Sequence, residues 1–123
     1  MKHALQLKRG DVLLLPIAFV SGPGTKVRPA VVVQNDNLNR RLNSIVVAII
    51  TSTNVRSQSE PTQLFIDLAT SEGQQTGLLH NSTVKCEHLD TIDRRDIHRM
   101  IGSFSPILVQ ELDECLKAAL QLK

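Results

Sequence analysis

Thr25-Lys26-Val27-Arg28-Pro29-Ala30-Val31-Val32-Val33-Gln34-Asn35-Asp36 is the stretch from which the fold can be read. Val31 to Val33 is β-branched and apolar, a type of side chain that packs well on a pleated surface. Three such residues in succession leave no polar face, so their strand is buried on both sides. Pro29 has no amide hydrogen to donate and suits the first residue of that strand. It also biases Arg28 towards an extended backbone. A permanently charged guanidinium therefore stands at the mouth of a rigid strand, below a loop made by Gly22-Pro23-Gly24. A fixed cation under a loop suits a phosphate or a carboxylate. The plainer alternative for Arg28 is a rim residue paired with a surface acid.

Working outward, Asp11 to Ile17 is a first strand, and Ala18 to Val27 is a loop containing Phe19. Pro29 to Gln34 is the second strand. Asn35 to Ser44, rich in Asn and Arg, reads as a solvated connection. Ile45 to Ile50 is another buried strand, closed by the polar cluster Thr51-Ser52-Thr53-Asn54 and a polar loop holding Arg56. Pro61 to Leu68 is a strand, Ala69 to Thr76 a turn around Gly73, and Gly77 to His80 a short strand. Thr83 to Leu89 alternates, with Val84, Cys86 and His88 on one face and Lys85 and Glu87 on the other. Asp90 to Arg99 holds one short helical turn, and Met100-Ile101-Gly102 adds a short strand. Ser105 is an N-cap with Pro106 at the first helical position. Leu108, Leu112, Cys115, Leu116 and Ala119 then recur at helical spacing, to about Leu120.

Five or six short strands followed by one helix predict a mostly β chain: a small, antiparallel, barrel-like sheet with a C-terminal helix against it. Hairpin-length connections exclude a doubly wound parallel sheet. Residues 1–123 form a single domain, and Met1 to Arg9 is a polar lead-in, disordered over residues 1–8. A formal net charge of +2 permits a nucleic-acid partner without requiring one. Cys86 and Cys115 form no CxxC pair, and two free thiols suit a reducing cytoplasm. The four histidines show no metal-binding spacing, so no metal or cofactor is expected. Val12 to Val20 is apolar but interrupted by Pro16, and it reads as a core strand rather than a signal peptide. No run reaches transmembrane length, so a cytoplasmic chain with no membrane partner is expected.

Four blocks carry a family resemblance. Lys8-Arg9-Gly10-Asp11-Val12, Val27 to Asp36, Val47-Ala48-Ile49-Ile50-Thr51-Ser52 and Glu87-His88-Leu89-Asp90-Thr91-Ile92-Asp93-Arg94-Arg95 resemble the MazF/PemK/Kid toxins, in order from about Lys8 to Leu120. The resemblance implies a CcdB/PemK-type fold assembled as a homodimer. It implies metal-independent cleavage of single-stranded RNA to 2′,3′-cyclic phosphate and 5′-hydroxyl ends. It also implies an antitoxin protein whose tail covers the RNA groove. The family's catalytic arginine falls on Arg28 and its catalytic threonine on Thr51. The basic–Cys–acidic trio of Kid-like members falls on Lys85-Cys86-Glu87, with lysine in place of an arginine, and the first loop lacks a histidine that some members carry.

These residue types suit the chemistry. Negative charge accumulates on the phosphoryl oxygens as the 2′-oxygen attacks phosphorus, and preorganised donors aimed at those oxygens are the main source of catalysis. Arg28 offers a bidentate fork and Thr51 a hydroxyl donor. Arginine is a poor general base, so Glu87 is the candidate proton acceptor. Lys26, Ser52, Thr53, Arg56 and Lys85 are candidate RNA contacts, and each has an alternative as an ordinary loop or surface residue. Phe19 is the lone aromatic in a predicted binding loop and can stack a base, or else plug the core. His88 reads as a buried histidine, and Cys86 and Cys115 as packing. A CcdB-like gyrase-binding toxin and a catalytically silent family member are the competing readings. The absence of a C-terminal tryptophan argues against the first, and intact Arg28 and Thr51 argue against the second.

Overall fold

The computed structural model describes residues 6–52 and 60–123. Six strands form one antiparallel sheet in the order β4-β5-β3-β2-β1-β6. They are β1 (Asp11–Ala18), β2 (Thr25–Val32), β3 (Ser44–Thr51), β4 (Gln63–Ile66), β5 (Ser82–Asp93) and β6 (Arg99–Ser103). Short helices α1 (Asp36–Arg41) and α2 (Ser71–Gln75) lie in the connections, and α3 (Pro106–Leu120) closes the fold. The sheet curls into a half-barrel.

Continuous β-branched runs fit this sheet because both its faces are covered. Val12, Val31, Ala48, Ile50, Val84 and Cys86 pack under α3 against Leu108, Leu112, Cys115 and Leu116. The alternate residues Leu13, Leu15, Ala30, Val32, Val47 and Ile49 form a second cluster on the other face. The helix starts where the sequence puts it. The Ser105 hydroxyl accepts from the Leu108 amide at 3.3 Å, with Pro106 in the first turn. A strand at β6 and a helical turn at Arg94–Asp96 also stand as expected.

Several boundaries differ from the sequence reading. Pro29 lies inside β2, not at its start, because β2 pairs with β1 from Thr25 onward. Its ladder to β3 begins only at Ala30. The Asn35–Ser44 connection is not simply solvated. The Asn35 side chain accepts from the Leu38 amide at 2.8 Å and starts α1, while Asn39 is buried in mutual hydrogen bonds with Gln34. The turn around Gly73 contains α2, and Gly77 to His80 is a loop rather than a strand. Of the lead-in, residues 1–5 lie outside the described residues. Leu7 is buried in the second cluster, and Arg9 reaches Asp113 at 2.7 Å and the Val33 carbonyl at 2.8 Å. Among the described residues no helix is long and apolar enough to cross a membrane.

One close approach sets the far wall of the sheet. A Cβ on Gly77 would stand 2.0 Å from the Ile101 carbonyl oxygen, and one on Gly102 2.4 Å from that of Thr76. Backbone therefore rests on backbone here, bringing the loop after α2 against edge strand β6. Gly77 also has φ +77°, a conformation that disfavours any side chain.

Candidate functional site

β2 and β3 part company at their ends. The ladder runs from Val32↔Val47 to Ala30↔Ile49 and stops there. Continuing that register would set Arg28 opposite Thr51, so these two half-buried residues face each other across the splayed ends. By alternation Arg28 follows Ala30 and Val32, and Thr51 follows Ile49 and Val47, on one face of the sheet. The long connection from β2 to β3 returns the chain antiparallel, which is how residues twenty-three apart reach one end of the sheet.

A cavity of about 270 Å³ lies against this pair. It is lined by Arg28, Thr51, Ile49, Lys85 and His88, and by Phe19, Val20 and Ser21 at the tip of the β1–β2 hairpin. The Phe19 amide donates to the Gly24 carbonyl at 3.1 Å to close that hairpin, and the ring is 43% exposed over Gly24. Phe19 therefore does not plug the core. A second cavity, of about 460 Å³, also touches Arg28 and Thr51, and it continues past Lys26 and Ser52 to the Gly77–His80 loop and to Arg99 and Met100 of β6. Together the two cavities make a groove whose described lining carries Lys26, Arg28, Lys85 and Arg99 and no carboxylate. The ion pairs among the described residues are Arg9–Asp113, Arg95–Asp93 and Lys117–Glu114, none of which neutralises a groove cation. Such a surface attracts a polyanion.

The Lys85-Cys86-Glu87 trio is split three ways by a bulge. Ile49 pairs with Lys85 and the next residue, Ala48, pairs with Leu89, so Cys86, Glu87 and His88 have no partner on β3. The Cys86 amide turns instead to the Thr62 carbonyl, at 3.0 Å. Its thiol is buried, and that burial, with Cys115 close by, pushes it up to about 12, so it packs as a thiol rather than a nucleophile. The Glu87 carboxylate accepts from Gln63 at 2.6 Å and from Thr62 at 3.1 Å, and it lines neither cavity. Partial burial pushes its carboxyl up, but the hydrogen bonds from Gln63 and Thr62 and the nearby Lys85 charge together hold it below the ordinary range. The structure thus brings Arg28, Thr51, Lys85 and Phe19 together, with Lys26 and Ser52 further along the groove, and sets Glu87 apart. Thr53 and Arg56 lie outside the described residues.

Three groove residues escaped the sequence reading. His88 was expected on the inward face with Cys86, but the bulge resets the alternation and turns it into the smaller cavity. His80 and Arg99 belong to a loop and an edge strand that meet only through the tertiary contact at Gly77 and Gly102. No local pattern announces that contact. Among the described residues no three His, Cys, Asp or Glu side chains converge to hold a metal ion.

A small, curled antiparallel sheet with a C-terminal helix and a cationic groove at splayed strand ends defines a class of compact β protein with a basic cleft. Residues 8–120 match the family model described as PemK-like, MazF-like toxin of type II toxin–antitoxin systems, and the chain belongs to that family. It is 31% identical over 117 residues to endoribonuclease EndoA of Bacillus subtilis (strain 168), covering 94% of this chain and 96% of the relative. A mycobacterial endoribonuclease solved in complex with its cognate antitoxin has the same fold, with TM-score 0.76, 20% identity and coverage of 95% of this chain and 97% of that one. So does a MazE–MazF complex from Deinococcus radiodurans, with TM-score 0.71, 17% identity and coverage of 97% and 100%.

Proposed function

We propose that this chain is an endoribonuclease toxin that cuts single-stranded RNA without a metal, leaving 2′,3′-cyclic phosphate and 5′-hydroxyl ends. The observation that carries the reading is the Arg28–Thr51 pair, opposite each other across splayed strands in a groove whose described lining holds cations and no carboxylate. Arg28 clamps the scissile phosphate and Thr51 donates to a phosphoryl oxygen, where charge grows in the transition state. Lys26 and Lys85 hold the flanking backbone, and Ser52 is a further contact. Phe19, half exposed at the hairpin tip, stacks a base. Thr53 and Arg56 are further RNA contacts in this reading. The family and the antitoxin-bound mycobacterial structure support a cognate antitoxin as partner. A homodimer acting in the cytoplasm completes the reading.

The test is cleavage of a mixed-sequence single-stranded RNA in EDTA, with Arg28→Ala as the control. Discrete cuts with cyclic-phosphate ends are expected, and loss of the guanidinium should slow them about 10²–10³-fold. A folded, antitoxin-free protein that leaves the RNA intact would end the nuclease reading.

A further inference from the structure

We propose that His88 is the proton acceptor for the 2′-hydroxyl in the Arg28–Thr51 site. The inference rests on the nuclease reading above and adds the group that the sequence assigned elsewhere. Transesterification needs a base within hydrogen-bond reach of the 2′-hydroxyl. Glu87, the acceptor expected from sequence, is turned towards Thr62 and Gln63 and lines neither cavity. The titratable side chains that line the smaller cavity with Arg28 and Thr51 are Lys85 and His88. Lysine and arginine are cationic at neutral pH and have no free lone pair to offer. Imidazole is the side chain that takes up and returns a proton between pH 5 and 8.

The backbone places the imidazole there. Were β5 regular, His88 would share the inward face with Cys86. The three unmatched residues between Lys85 and Leu89 reverse that, so Lys85, the last paired residue before the bulge, and His88, the last residue within it, both line the cavity. The residue is half-buried and lines the cavity, so it is open to substrate. The step balances as follows. The 2′-oxygen bonds to phosphorus while its proton passes to a neutral ring nitrogen of His88. The bond from phosphorus to the 5′-oxygen breaks, and that oxygen takes a proton from water. The imidazolium then returns its proton to the hydroxide left behind.

The experiment is single-turnover cleavage of an oligonucleotide carrying the mapped cut site, from pH 5 to 9, by the full chain and by His88→Gln and His88→Ala. Arg28 from β2, Lys85 from β5 and the uncharged Thr51 from β3 line the cavity with the imidazole. The wild-type rate should rise with pH along an acid limb. His88→Gln should cut 10²–10⁴-fold more slowly and lose that limb. Free imidazole should restore His88→Ala, in which the truncated side chain enlarges the cavity, and more basic imidazoles should restore it further. His88→Gln with the wild-type rate and pH profile would overturn the assignment. So would a slow His88→Ala that no imidazole restores, which would make His88 a structural or binding residue. An inactive wild type brings down the nuclease reading itself. An active wild type, a dead Arg28→Ala and unaffected His88 variants bring down only this inference.

Discussion

Glu87 shows how neighbouring residues on one strand can take unrelated tasks. Its carboxylate ties the β5 bulge to the start of β4 through Thr62 and Gln63, one residue away from an imidazole that faces the groove. Glu87→Gln keeps an acceptor oxygen for those donors, so cleavage should fall no more than a few-fold in a steady-state assay. A general base at this position would instead cost 10²-fold or more. Asp11 offers a second test. It is buried at the start of β1, and burial raises its carboxyl above the ordinary value, an effect that the Lys8 amide and charge only partly offset. A carboxyl raised in the fold favours the native state below its unfolded value near 3.8, and that advantage is lost as pH rises through the folded value. The stability of Asp11→Asn relative to wild type should therefore grow as pH climbs from about 4 and level off once pH has passed the folded value, as read from urea midpoints across a pH series.

At the scale of elements, what was legible followed from local chemistry. β1, β2 and β3 announce themselves by apolar runs, β-branched in β2 and β3, and α3 by Ser105, Pro106 and the spacing of Leu108, Leu112 and Leu116. Arg28 and Thr51 were legible as polar groups flanking such runs, and the family resemblance singled them out as site candidates. The bulge at Cys86–His88 was not, because strict alternation assumes a regular ladder, and this ladder is interrupted by tertiary bonds from Thr62 and Gln63 to the β5 segment. α1 and α2 are too short to show a period, and only their caps, Asn35 and Thr70, mark them. The contact between the Gly77 loop and β6 joins elements far apart in sequence, and the two glycines carry no sign of each other. It makes a sharp prediction. Gly102→Ala would drive a Cβ to 2.4 Å from the Thr76 carbonyl group, against backbone that has no rotamer to yield. The variant should lose about 1–3 kcal/mol, seen as a lower urea midpoint with an unchanged slope.

For the whole molecule, the charge is small but its placement is not. A net charge of +2 over 123 residues gives little long-range pull. Yet Lys26 and Arg28 from β2, Lys85 from β5 and Arg99 from β6 come from three non-adjacent strands to one groove, while the described acids lie outside its lining. The curl of the sheet does this, since it draws the ends of β2 and β3 and the edge strand β6 around a common space. RNA binding should then depend on salt as a local, four-cation contact and not as a property of net charge. With an uncleavable oligonucleotide carrying a 2′-deoxy sugar at the cut site, log affinity against log salt should fall with a slope of about −3 per groove if all four cations neutralise phosphates. Lys26→Ala and Arg99→Ala should each make that slope shallower by about 0.7 without moving the cut site, because phosphate contacts position the strand and carry no sequence information. Alanine at an exposed lysine outside the groove, such as Lys117, should leave the slope alone. A slope near zero, or one equally sensitive to Lys117 and Lys26, would mean that the RNA does not run through this groove.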